Sequence, residues 1–108
     1  MPHIILHNIS TKDAISLSQE ILSDLSLIVD VPEDWFEFNC LNSQCIVENE
    51  IDNKSILVYI DWFKRKKDIQ DQVALLMNKA LAKRGYRNIT IYFRELTKDN
   101  YYENMNQF

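Results

Sequence analysis

At 108 residues the chain has room for one domain, spanning residues 1–108, built on one core. Hydrophobic residues make up 46% and charged residues 26%, an ordinary globular balance, and no apolar run approaches the ~18 residues that would cross a bilayer. A net charge of −4 argues against general nucleic-acid binding, and the start MPHIILHNIS lacks the basic region and cleavage site of a signal peptide, so the expected location is the cytoplasm.

HIILHNI (3–9) reads as a first strand. Ser10 offers an N-cap with Asp13 three residues on, and Ala14, Leu17, Ile21, Leu25 and Ile28 form the stripe of an amphipathic helix. Pro32 pushes Val31 out of helical geometry, so the helix stops at DVPEDW. WFEFNCLN (35–42) alternates, with Phe36, Phe38 and Cys40 on one face, as a second strand does. QCIVENE (44–50) is a short strand between polar turns, and SILVYIDWF (55–63) is a third full strand. The basic run Lys64 to Lys67 is a charged loop leading into a second helix, whose apolar side carries Ile69, Val73, Leu76, Met77 and Ala80. The chain's only glycine, Gly85, falls where a helix C-terminal glycine belongs. ITIYFREL (89–96) is the last strand, followed by a polar, aromatic-rich tail expected to pack along a neighbouring subunit.

The order is β-α-β, a small strand, then β-α-β. Right-handed crossovers put both helices on one side of a four-stranded sheet. The third strand is apolar on both faces: Ile56, Val58, Ile60 and Trp62 point one way, Leu57, Tyr59 and Phe63 the other. Two helices cover one face only. The other would expose a larger apolar patch than soluble monomers carry, and another copy of the chain is the simplest cover.

The site chemistry is narrowed by exclusion. His3 and His7 share a face of the first strand but lie roughly 13 Å apart, too far to share an ion, so no metal is expected. Cys40 and Cys45 are expected close together within a hairpin and read as free thiols, Cys40 as a core residue. A single glycine rules out a glycine-rich phosphate loop, and no nucleophile elbow is present. What remains is MP. Removal of the initiator methionine would leave Pro2 with a rigid secondary amine, able to act as a base near neutral pH when burial and cations lower its proton affinity. The other reading of Pro2 is a plain lead-in to the strand.

MPHII, the two β-α-β halves and the aromatic sheet resemble the tautomerase superfamily, which includes macrophage migration inhibitory factor and oxalocrotonate tautomerase. Across its whole length the chain is more closely similar to a bacterial family of unknown function, domain-of-unknown-function family 1904. The matching stretches are MPHI, VPEDWFEF, YIDWFKRKKDIQD and KDNYYENMNQF. The resemblance implies an α/β (α+β), tautomerase-like β-α-β-β-α-β fold: a four-stranded mixed sheet, two helices on one face, and assembly as a homotrimer.

For the site, the resemblance implies a pocket at Pro2, the catalytic base. Trp35 and Phe36 would stand near it, with Trp62, Lys64 and Arg65 reaching the same end. Tyr92 and Arg94 would approach from their own strand or a neighbouring subunit. Arg65 would pair with a substrate carboxylate through two hydrogen bonds, and no cofactor is implied. Two departures bear on activity. Val31 stands where relatives of macrophage migration inhibitory factor carry a lysine before the proline, and Tyr92 and Arg94 stand where the superfamily has Tyr and Asn. Two functions therefore stand side by side. One is a keto–enol tautomerase of small 2-oxo acids, possible only if Met1 is removed. The other is a non-catalytic homotrimer that binds a small carboxylate or another protein.

Overall fold

The computed structural model describes residues 2–107, Gln107 by its backbone alone; the expectation that turns on Met1 therefore lies outside the described residues. Strand β1 (His3–His7) leads into helix α1 (Thr11–Val29), which opens as expected, with the Ser10 hydroxyl accepting from Asp13 N at 3.1 Å. The helix ends on Asp30 in the left-handed region, its N–H bonded to Ser26 O. Strand β2 (Glu37–Leu41) follows a single 3-10 turn at Glu33–Trp35.

The stretch expected as one short strand is instead a small hairpin, β3 (Ile46–Val47) against β4 (Glu50–Ile51), separate from the main sheet. Its two-residue turn holds Glu48 and Asn49 at φ +51° and +69°, the twist that joins short antiparallel strands. Cys40 lies in β2 and Cys45 just before β3, so the two thiols do not face each other across this hairpin.

Strand β5 (Ser55–Phe63), helix α2 (Lys67–Lys83) and strand β6 (Asn88–Leu96) complete the expected order. Gly85 takes φ +94° after α2, a conformation that costs a side-chain-bearing residue steric strain. The tail is more structured than expected. A 3-10 turn at Lys98–Asn100 precedes a second hairpin, β7 (Tyr102–Glu103) with β8 (Asn106–Gln107).

The main sheet runs β2-β1-β5-β6. Strand β1 is parallel to β2 and antiparallel to β5, and β5 is parallel to β6. Alternation sends Ile4, Leu6, Val58, Ile60 and Trp62 toward the helices. There they meet Leu17, Ile21 and Leu25 of α1 and Val73, Met77 and Leu81 of α2, all at or below 1% exposure. Each such side chain contributes roughly 1.5–3 kcal/mol by leaving water. The opposite, open face presents His3, His7, Leu57, Tyr59, Phe63 and Tyr92, all at least partly exposed. No helix among the described residues is long and apolar enough to cross a membrane.

Candidate functional site

Pro2 continues the ladder one step beyond β1, its carbonyl accepting from Glu37 N at 3.2 Å. Since His3 pairs with Glu37 and Asp61, the preceding register position sets Pro2 beside Phe36, just before β2, and Trp62 of β5. By alternation Pro2 falls on the helix-covered face with Ile4 and Leu6, and its side chain is less than 2% exposed. Phe36 is likewise buried, while Trp35 in the preceding turn is half-exposed.

Trp62 is a core residue as well as a neighbour of Pro2. It is 1% exposed and stacks on Phe93 with ring centroids 4.8 Å apart. The Arg65 guanidinium lies 5.8 Å from the Trp62 ring centroid and donates through Nη1 to Phe63 O at 2.9 Å. Arg65 is thereby held at the Pro2 end with most of its N–H groups uncommitted to described residues. Lys64 is exposed and makes no ion pair with a described residue. The chain thus brings Pro2, Trp62, Arg65 and Lys64 to one end.

Arg94 reaches that end too, level with Asp61 and His3, whereas Tyr92, expected there, is level with Tyr59 and Ile5 at the middle of the sheet; both lie on the open face. Arg94 is paired with Asp61 through two hydrogen bonds of 2.6 and 2.8 Å, and its guanidinium carbon lies 4.2 Å from the Tyr59 ring centroid. Those bonds hold the guanidinium firmly in its charged form. Tyr92 stacks on Tyr59 at 5.5 Å. Within one chain both therefore belong to a surface cluster across the sheet from Pro2.

Two histidine clusters on the open face were not legible beforehand. His3 Nδ1 lies 3.1 Å from Glu37 Oε2, and its Nε2 lies 3.0 Å from the Tyr101 hydroxyl, which donates to Glu103 at 2.7 Å. Burial first, then that bond to the Glu103 carboxylate, raises the Tyr101 phenol above its usual range and keeps it protonated. Farther along β1, His7 bonds Ser43 Oγ and the Tyr59 hydroxyl, each at 3.2 Å. The shared face of the two histidines was visible in their spacing; their partners come from distant strands and the tail.

The Domain of unknown function (DUF1904) family model matches residues 1–107. The crystal structure of a DUF1904 domain from Sebaldella termitidis ATCC 33386 superposes with a TM-score of 0.92 at 25% identity, covering 100% of both chains. A macrophage migration inhibitory factor-like protein of Entamoeba histolytica gives 0.81 at 19% identity, over 99% of this chain and 98% of that one. Pt0534, crystallised after inactivation by 2-oxo-3-pentynoate, gives 0.77 at 7% identity, over 94% and 91%. At such identities the last two establish the fold alone. No curated protein matches the chain in sequence. On the full-length family match, the chain belongs to the Domain of unknown function (DUF1904) family, and its fold is that of the macrophage migration inhibitory factor and tautomerase superfamily.

Proposed function

We propose that the protein is a cofactor-free keto–enol tautomerase of small 2-oxo acids, working as a homotrimer with Pro2 as the base. The observation that carries this reading is the Arg65 guanidinium held against Trp62, the side chain whose register neighbour is Pro2. A carboxylate seated on Arg65 would place the adjacent keto carbon, and the acidic C–H of the carbon beyond it, toward the proline nitrogen. The amine takes that proton and returns it to oxygen or carbon, while Arg65 and Lys64 offset the negative charge of the enolate. The fold neighbour inactivated by a 2-oxo acid supports the substrate class. The apolar open face supports the assembly, because a second copy would remove Leu57, Phe63 and Tyr92 from water.

The amine exists only after Met1 is removed, so the first test is the intact mass of the protein made by its native host. Loss of one methionine is expected. Enolisation of phenylpyruvate and hydroxyphenylpyruvate should then fall roughly 10²–10⁴-fold in Pro2→Ala. Retained methionine, or equal rates in the variant, would overturn the catalytic reading.

The near-complete burial of Pro2 and the engagement of Arg94 by Asp61 favour a second reading, a non-catalytic homotrimer that binds a small carboxylate or a protein. It is distinguished by carboxylate binding that Arg65→Met abolishes, with methionine retained and no turnover.

A further inference from the structure

At the Pro2 end the open face is occupied by the chain's own tail. The Tyr101 ring centroid lies 6.0 Å from that of His3, and the same ring meets Phe63 edge-on. These contacts are intramolecular, whatever covers the rest of the sheet.

The bonds around His3 fix how many protons its ring carries. Tyr101 has a single hydroxyl hydrogen, with which it donates to Glu103 Oε2 at 2.7 Å. His3 Nε2, 3.0 Å from the same hydroxyl oxygen, is then the donor of that contact. On the other side of the ring, Nδ1 lies 3.1 Å from Glu37 Oε2, and an ionised carboxylate can only accept. Both ring nitrogens must therefore carry hydrogen, which makes the ring an imidazolium. The charged groups facing it are Glu37 of β2, Glu103 of the tail, and Asp61 of β5, which Arg94 of β6 already pairs. Lys98 and Asp99 stand in the turn that leads to Tyr101.

A neutral imidazole has one N–H and cannot serve both neighbours. If it keeps Glu37, Tyr101 must turn its hydrogen toward Nε2, and Glu103 loses its bond. If it keeps Tyr101, a bare nitrogen faces the Glu37 carboxylate. Either way the group loses a hydrogen bond to a charged partner.

We propose that these four residues form a pH-sensitive clasp: His3 as imidazolium fastens the tail across the Pro2 end of the sheet, and His3 as imidazole loosens it. Imidazole changes charge within about pH 5–8, so the clasp tightens on the acid side and slackens as pH rises. Slackening withdraws Tyr101 from Phe63. The device needs neither a free amine at Pro2 nor turnover.

The test follows amide hydrogen exchange in the full chain at about pH 5 and about pH 8, the two ends of that range. Exchange is expressed as protection, so that its intrinsic pH dependence drops out. Protection of the Asn100 and Tyr101 amides, bonded to Thr97 O and Lys98 O, should fall roughly 10–100-fold between the two, the equilibrium effect of one hydrogen bond to a charged group. Protection in α2 should stay unchanged. Ring ¹⁵N shifts of His3 should report hydrogen on both nitrogens at the acid end. His3→Phe keeps a ring, cannot take up a proton, and should leave the tail equally weakly protected at both pH values. Glu37→Gln is the sharper variant. Its amide can donate to Nδ1, so a neutral ring meets every partner and the tail should stay protected at both. The Glu37 side chain is 62% exposed, so this change keeps the fold even where His3→Phe does not. Tail protection that does not change with pH in the native chain, a pH dependence that survives either variant, or a bare His3 nitrogen at the acid end would each overturn the clasp.

Discussion

His3 Nε2 lies 3.0 Å from the Tyr101 hydroxyl, which ties the residue after Pro2 to a side chain 98 positions later. Glu37 holds the other ring nitrogen, Glu103 accepts a hydrogen bond from the Tyr101 hydroxyl, and the Tyr101 ring meets Phe63 edge-on at 5.5 Å. Both ends of the chain are thereby fastened at the end of the sheet where the candidate active site sits. A tail that would gain little by ordering alone is ordered by contacts within its own chain.

Tyr101→Phe keeps the ring contact and removes the hydroxyl. The expected cost is about 1 kcal/mol, the net worth of an ordinary hydrogen bond. Amide exchange should quicken at Tyr101, whose N–H bonds Lys98 O, and through Lys98–Glu103, while exchange in α2 stays unchanged. Unaltered exchange across the tail would mean that the His3 contact does not hold it.

Trp62 and Arg65 separate structure from chemistry at the same end. Trp62→Ala removes a side chain that is 1% exposed and should cost about 3–5 kcal/mol in urea unfolding. Lost activity in that variant would say little about the site. Arg65→Met keeps the length of the stem over Trp62 and should change stability by no more than about 0.5 kcal/mol. Its expected signature is loss of carboxylate binding, seen as a raised KM for the 2-oxo acid.

The inward face of β5 was legible because Ile56, Val58, Ile60 and Trp62 repeat at period two, and α1 because its stripe and the Ser10–Asp13 cap agree. The two small hairpins were not. Their turns put Glu48 and Asn49, and Asn104 and Met105, at positive φ, and neither pair carries the Asn-Gly or Asp-Gly signal that usually marks such a turn. At the site, the resemblance and the strand directions located Pro2, Trp62 and Arg65. The pairing of Arg94 with Asp61 could not be read, because it depends on the register of β5 against β6. The His3–Tyr101 contact depends on where a tail without periodicity folds back.

Tyr86 gives the chain an alkaline weakness. Its hydroxyl donates to Asp13 at 2.9 Å, and burial together with that carboxylate pushes its pKa up to about 12. The unfolded phenol ionises near ~10, so between about pH 10 and 12 the unfolded state has lost a proton that the folded state keeps. Stability must then fall as pH rises, at up to about 1.4 kcal/mol per pH unit from this group. Tyr86→Phe cannot ionise. It should be less stable than the native chain at pH 8 by about 1–3 kcal/mol, with the gap narrowed by about 1.4 kcal/mol at pH 11 in urea denaturation. A gap that stays constant would remove Tyr86 as the cause.

The open face supplies the sharpest test of assembly. Tyr92 is 41% exposed there, stacked on Tyr59, which also carries the Arg94 guanidinium over its ring. If copies of the chain cover this face, Tyr92→Glu buries a carboxylate without a partner of its own. Such a burden is worth about 3 kcal/mol or more, weakening association roughly 100-fold. In a lone chain the same substitution sits in water and changes little. Sedimentation at micromolar concentration should therefore find three copies for the native protein and one for Tyr92→Glu. Leu75→Glu, a comparably exposed position on α2, should leave the trimer intact. A native chain that sediments as one copy would remove the trimer and leave Arg65 to bind its carboxylate without help from a neighbour's Tyr92 or Arg94.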